Sequence, residues 1–346
     1  MSPAPLLSVR DLRVAFATED GPLQAVDGVD FDLGPGEVVA IVGESGSGKS
    51  VTAQTIIGLT RSPNSRIEGS VKLGETELTT ARDAELRRLR GERVAMIFQD
   101  PMTSFNPVYR LGDQIAEAIR AHRTETSKQQ ARARAVELFE GVGIPNAERR
   151  VDDYPHEFSG GLRQRAMIAM ALALDPEVLI ADEPTTALDV TIQAQILALI
   201  ERLNRERNLA TILITHDLGV VAEIADRVLV MYAGKVVEQG TLDEIFYDPQ
   251  HPYTWGLMGS LTRIDRPRPR RLPQIAGQPP SMVDLPEGCP FRPRCPHEFS
   301  KCPQYPPLEA RLSDASGHRD RCWLMPDEKQ QKRMVGGQIG LEAPRA

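Results

Sequence analysis

The stretch GESGSGKS, Gly43 to Ser50, constrains the fold more than any other part of the chain. It fits the spacing G-x-x-x-x-G-K-[ST] of a phosphate-binding loop, which needs a strand before it and a helix after it. EVVAIVG (37–43) supplies a short buried strand, and the residues from Val51 to Leu59 read as a helix. In such a loop, glycines let the backbone wrap oxygens and aim N–H groups at them. Phosphate contacts are therefore assigned to the run Gly43, Ser45, Gly46, Ser47 and Gly48, continuing to Val51. Lys49 brings a cation to the β- and γ-phosphates, and Ser50 brings a hydroxyl oxygen to Mg²⁺.

VLIADE (178–183) supplies a second half for this site. Four apolar residues bury a strand, and Asp182 emerges at its C-terminal end, where parallel sheets bind ligands. Asp182 is assigned to Mg²⁺, and Glu183 to orienting or deprotonating an attacking water. Around these motifs the pattern alternates. Residues 7–33 and 69–78 read as strands, VAMIF (94–98) and TILITH (211–216) as buried strands, and 111–142 as long helices. RVLVMYAGKVVEQG (227–240) reads as a hairpin turning near Ala233-Gly234. Strands alternating with helices imply a parallel sheet wrapped by helices.

With 41% apolar residues and no apolar run near 18 residues, the chain is expected to be soluble with a sizeable core. MSPAPLLSVRDLRV has no charged region leading into a long apolar stretch, so it is not read as a signal peptide, and a reducing cytosol is expected. A net charge of −7 counts against nucleic-acid binding, which needs a basic face.

Three further pieces carry a family resemblance. FSGGLRQR (158–165) resembles the signature motif of ATP-binding cassette (ABC) proteins. Gln99 ends the strand in VAMIFQD like their Q-loop, and His216 ends TILITHD like their switch histidine. Ala187-Leu188-Asp189 resembles the D-loop. The order of the pieces is what makes the match specific. QDPMTSFNP (99–107), HPYT (251–254) and the Cys-Pro tail resemble the ATPase subunits of bacterial oligopeptide and dipeptide importers. Leu162 stands where the general cassette pattern often has Gln.

The resemblance implies an ABC-type P-loop NTPase core with an N-terminal antiparallel β subdomain and an inserted helical subdomain at about 100–175. The nucleotide-binding domain would span 1–262, a Pro-rich linker and four-cysteine extension 263–324, and a mobile tail 325–346. ATP would be sandwiched in a head-to-tail dimer. Ser159, Gly160, Gly161 and Asp189 would then touch the partner's nucleotide, with Ser159 capping a helix as an anion site. Gln99 would touch Mg²⁺, Glu183 and His216 would serve hydrolysis, and Phe16 would lie under the adenine, its competing reading being a core strand Phe. Implied partners are a second ATPase subunit (a paralogue), two transmembrane permeases and an extracytoplasmic binding protein, with this chain peripheral on the cytoplasmic face of the inner membrane. Nickel chelates, glutathione and other small solutes are alternative cargoes. A soluble ABC ATPase with a zinc-bound nucleic-acid tail is the alternative from another class.

All four cysteines lie in one short region as C-x5-C-x6-C-x19-C: Cys289, Cys295, Cys302 and Cys322. In a reducing compartment this reads as four thiolate ligands. Zinc sites usually use C-x2-4-C pairs, absent here. Three of the cysteines precede proline, a pair also found in bacterial ferredoxins. The importer ATPases that the chain resembles can carry a [4Fe–4S] cluster in this extension. The cluster is therefore expected, with Zn²⁺ as the alternative, to staple a segment too rich in proline to build its own core.

Overall fold

The computed structural model describes residues 4–260, 274–310 and 317–335. The Arg- and Pro-rich run 266–271, read as linker, lies outside them. Two strands open the chain, β1 (Leu7–Thr18) and β2 (Gly21–Leu33); β3 (Val38–Val42) then leads through the phosphate-type loop into α1 (Lys49–Ile56). β4 (Ser65–Leu73), β5 (Thr76–Glu77), α2 (Asp83–Leu89) and β6 (Val94–Ile97) follow. A helical stretch comes next: α3 (Pro101–Ser104), α4 (Leu111–His122), α5 (Lys128–Gly141), α6 (Ala147–Arg150) and α7 (Gly160–Ala171). β7 (Val178–Asp182), α8 (Val190–Arg207), β8 (Ala210–Thr215) and α9 (Leu218–Ile224) restore the alternation. The hairpin β9 (Arg227–Tyr232) and β10 (Lys235–Thr241) precedes α10 (Leu242–Tyr247) and α11 (Pro252–Gly259). The extension adds β11 (Arg319–Asp320) and α12 (Pro326–Val335).

Two compact units result. The first takes residues 1–7, 33–38 and 73–214. Its strands run in the order β8-β7-β6 and are parallel, with Val94 opposite Val178 and Val178 opposite Ala210. All three are buried along their whole length, which is why each reads as a mostly apolar run rather than an alternating one. Its helices α4, α5 and α7 pack on one another. α5 starts at a capping box, where the Ser127 hydroxyl accepts from Gln130 N–H and the Gln130 side chain accepts from Ser127 N–H. Apolar residues at helical spacing, Leu111, Ile115 and Ile119, face that core.

The second unit takes residues 8–32, 39–72 and the described residues from 215 onward. β2, β1 and β4 are neighbours in the antiparallel N-terminal sheet. A second sheet runs β11-β10-β9-β3, with β3 and β9 parallel and β9 and β10 antiparallel. The hairpin turns where expected, with Ala233 at φ 48° and Gly234 at φ 79°, the pair of positive angles that a type I′ two-residue turn requires. The core of this unit joins Val228, Val230, Tyr232, Tyr253 and Phe246 to Phe291 from the extension.

One expectation is corrected. Residues 326–335, read as part of a mobile tail, form α12. The reason is a buried ion pair: Lys329 Nζ donates to Asp320 Oδ1 at 2.7 Å, and both side chains are 1% exposed. A charge-rich helix with few apolar residues reads as tail because its anchor is ionic.

Candidate functional site

In the second unit, β3 carries the chain into the loop 43–48. Gly43 and Gly48 have φ of 153° and 98°. A Cβ at Gly48 would lie 2.4 Å from the Ala25 carbonyl oxygen, and one at Gly43 would lie 2.2 Å from that of Met231. Neither backbone oxygen can yield, so only glycine fits both places. Lys49 is buried, and its ammonium donates to the Gly43 carbonyl at 2.7 Å and the Glu44 carbonyl at 2.9 Å. The loop is also tied to the hairpin turn, since Gly234 N–H donates to Ser47 O at 3.0 Å. Ser45 and Gly46 lie in the same loop, and Ser50 and Val51 open α1. Phe16 is half-buried on β1, and His216 is exposed just beyond Thr215.

In the first unit, Asp182 ends β7 and is buried. Glu183 follows with φ 46°, a left-handed angle uncommon for a residue with a long side chain. Its N–H donates to Ile214 O at 2.8 Å, which holds that turn. Two donors meet on Glu183 Oε2: the Gln99 amide at 2.9 Å and the Thr186 hydroxyl at 2.8 Å. Gln99 and Glu183, far apart in sequence, are thus brought together, and Thr186 is a partner that the sequence reading missed. Ser159 caps α7, its hydroxyl accepting from Leu162 N–H at 3.4 Å, with Gly160 and Gly161 in the first turn. Asp189 caps α8, accepting from Ile192 N–H at 3.0 Å.

The four cysteines line one cavity in the second unit, walled by Phe291, Trp323 and Leu324 among others. Burial pushes the Cys289 thiol up to about 11, and those of Cys295 and Cys322 to about 12. The Phe299 N–H points at Cys302 Sγ at 3.5 Å. Among the described residues, no group of three or more His, Cys, Asp and Glu side chains stands close enough to hold a metal ion.

The segment between the first two cysteines reaches inward. Phe291 meets Tyr232 edge-on at 5.4 Å and Tyr253 at 5.4 Å. Arg294 makes a forked pair with Glu44 of the loop, Nη1 to Oε2 at 2.6 Å and Nη2 to Oε1 at 3.0 Å. The Glu44 N–H donates to the Tyr253 hydroxyl at 2.8 Å. Tyr253 is the second residue of α11, and His251 caps that helix through Nδ1. Burial holds the His251 imidazole down to about 4, so Nδ1 stays an acceptor at neutral pH.

Glu238, fully buried, accepts from Gln250 N–H at 2.5 Å, from His251 N–H at 2.9 Å, and pairs with His318 Nε2 at 2.8 Å. Burial alone would raise its carboxyl, but the His318 hydrogen bond and charge outweigh that and hold it low.

Comparison with known proteins now bears on these motifs. A family model described as ABC transporter matches residues 26–186, and one described as oligopeptide/dipeptide transporter, C-terminal region, matches residues 237–302. The dipeptide transport ATP-binding protein DppD of Bacillus subtilis is 50% identical over 96% of this chain and 98% of its own length. The chain belongs to the ABC transporter family. The oligopeptide transport ATP-binding protein OppD of Salmonella typhimurium is 53% identical, covering 88% of this chain and 90% of its own. Among solved structures, the dimeric ATP-binding cassette MJ0796 in a post-hydrolysis state with ADP and Pi aligns with a TM-score of 0.62. That alignment has 27% identity and covers 68% of this chain and 98% of the other. As an ABC ATPase, the chain is an enzyme of ATP hydrolysis in a transporter. No described helix is long and apolar enough to cross a membrane.

Proposed function

We propose that this chain hydrolyses ATP to energise import of di- and oligopeptides. It would work from the cytoplasmic face of the inner membrane with a paralogous ATPase subunit, two permeases and an extracytoplasmic binding protein. The observation that carries the reading is the length of the likeness. Identity of 50% extends over 96% of the chain and so includes the C-terminal extension that the oligopeptide/dipeptide region model also matches. Exposed Val108 and Tyr109, just after the Q-loop stretch, support a docking face for a permease, and exposed Val190 beside Asp189 supports one for the second ATPase.

In this reading the boundaries are a cassette to residue 262, a helical subdomain at about 100–175 and an extension at 263–324. The loop Gly43–Ser50 and Val51 cradle the phosphates, Lys49 neutralises them, and Phe16 supports the adenine. Ser50, Gln99 and Asp182 offer the hard oxygens that suit Mg²⁺, which when bound offsets charge on the β- and γ-oxygens. Glu183, held in place by Gln99 and Thr186, orients and deprotonates the attacking water, with His216 assisting. Ser159, Gly160, Gly161 and Asp189 contact the partner's nucleotide.

That division predicts different losses. Lys49→Ala should weaken nucleotide binding by the isolated chain and stop transport. Ser159→Arg should leave the isolated chain's binding largely intact while blocking ATPase in the assembled complex. Titration of each variant with a fluorescent ATP analogue separates them, and equal loss of binding in both would contradict the trans role of Ser159.

For the cysteines, we propose a [4Fe–4S] cluster held by Cys289, Cys295, Cys302 and Cys322. Four soft donors share one cavity and a backbone N–H points at one of the sulfurs, as iron–sulfur sites favour. The cluster's chemistry here is a staple. Protein purified without oxygen should be brown with about four irons per chain; a colourless protein with one zinc would leave the staple and remove the cluster.

A further inference from the structure

The sequence between Cys289 and Cys295 is PFRPR. It folds as a tight turn ending in a 3-10 helix over Arg292–Arg294, closed by Arg294 N–H to Phe291 O at 3.0 Å and Cys295 N–H to Arg292 O at 3.1 Å. This turn places two side chains into the second unit's core. Phe291 is 2% exposed among Tyr232 and Tyr253. The Arg294 side chain is 5% exposed.

Arg294 spends nearly all its donors there. Nε donates to Ala276 O at 3.0 Å, Nη1 reaches the Tyr232 hydroxyl at 3.3 Å, and both Nη groups hold Glu44. Glu44 is therefore gripped on three sides. Its carboxylate is held by Arg294, its N–H by Tyr253, and its carbonyl oxygen by Lys49. Glu44 is the second residue of the phosphate loop, and nothing in the loop motif asks for a carboxylate at that position. A forked arginine fixes both position and orientation of a carboxylate, which a lysine or a water cannot do.

We propose that Arg294 and Tyr253 are positioning residues for the phosphate loop, through which the four-thiol site sets the cassette's affinity for ATP. This rests on the nucleotide reading of the loop. Cys295 directly follows Arg294, so loosening its sulfur frees the 3-10 turn that aims the guanidinium. The loop then keeps its sequence but loses the brace that holds Glu44, and with it the preorganised array of N–H groups. Couplings of this kind between sites are typically about 5- to 150-fold in affinity.

The test uses the full chain purified without oxygen, with binding of a fluorescent ATP analogue in Mg²⁺ as readout. The wild type must bind; if it does not, the nucleotide reading fails and the brace is moot. Given that binding, Arg294→Gln should weaken affinity by at least about fivefold. Arg294→Lys should recover part of that loss, and KM for ATP should rise more than kcat falls. Glu44→Gln removes the same pair from the loop side without touching the extension, so it guards against misfolding of the extension. The double variant Arg294→Gln/Glu44→Gln should lose little more than either single one. Cys295→Ser should weaken binding in the wild-type background and add little to Arg294→Gln. Affinities within twofold of wild type in Arg294→Gln and Glu44→Gln, or fully additive losses, overturn the brace. A Cys295→Ser effect equal in both backgrounds overturns its link to the thiols.

Discussion

Glu183→Gln should keep ATP binding and lose about 10²–10⁴-fold in steady-state hydrolysis, the range for removing a general base. The geometry explains why binding survives. Glu183 Oε2 accepts from Gln99 and Thr186, and its N–H is spent on Ile214 O. The substitution leaves the backbone turn at φ 46° intact, because that turn is held by the N–H and not by the carboxylate. An amide oxygen in the place of Oε2 can still accept from both donors, so the local fold is expected to hold. What it cannot do is take a proton from water. In the assembled transporter, single-turnover hydrolysis should fall with the steady-state rate, since chemistry becomes limiting. A variant that retains more than about half of the wild-type rate would remove Glu183 from the role of base.

The parts of this molecule that sequence revealed are those whose signal is local. β3, β6, β7 and β8 are buried on both faces, so each shows as a short, mostly apolar run, interrupted only by threonines in β8 and ended by Asp182 in β7. The phosphate loop, the Ser159 cap and the Ala233-Gly234 turn each carry their chemistry within a few residues. The parts that stayed hidden pair residues far apart in the chain. Arg294 and Glu44 are 250 positions apart, and His318 and Glu238 are 80 apart. No spacing rule joins such residues; only the folded sheet and the turn between two cysteines do. Thr186 was missed for a milder reason: a threonine near an Asp-Glu pair looks like any loop hydroxyl until Glu183 turns back toward it. α12 was misread because helices are usually recognised by an apolar stripe, and this one is anchored by a lysine.

That anchor carries the second large effect. Lys329→Met should destabilise the docked extension by about 3–5 kcal/mol, because it leaves Asp320 buried without its cation. The pair is 1% exposed on both sides, so water cannot take over the lost partner. Asp320 lies on β11, which pairs with β10 through Glu238 opposite Asp320 and Gln239 opposite Arg319. Cys322 is two residues further on, so the ion pair holds the strand that presents the fourth thiol. Loss of Lys329 should therefore show in two ways: faster proteolytic cleavage of the extension and, on the proposed cluster reading, weaker retention of iron by the four cysteines. Replacing both partners by apolar residues of similar volume, Asp320→Leu with Lys329→Met, should recover much of the stability, since no charge is then left unpaired. Were the single variant as resistant to protease and chelator as the wild type, the buried pair would not be what holds α12. If the double variant were as damaged as the single one, the cost would lie in lost shape and not in the stranded carboxylate.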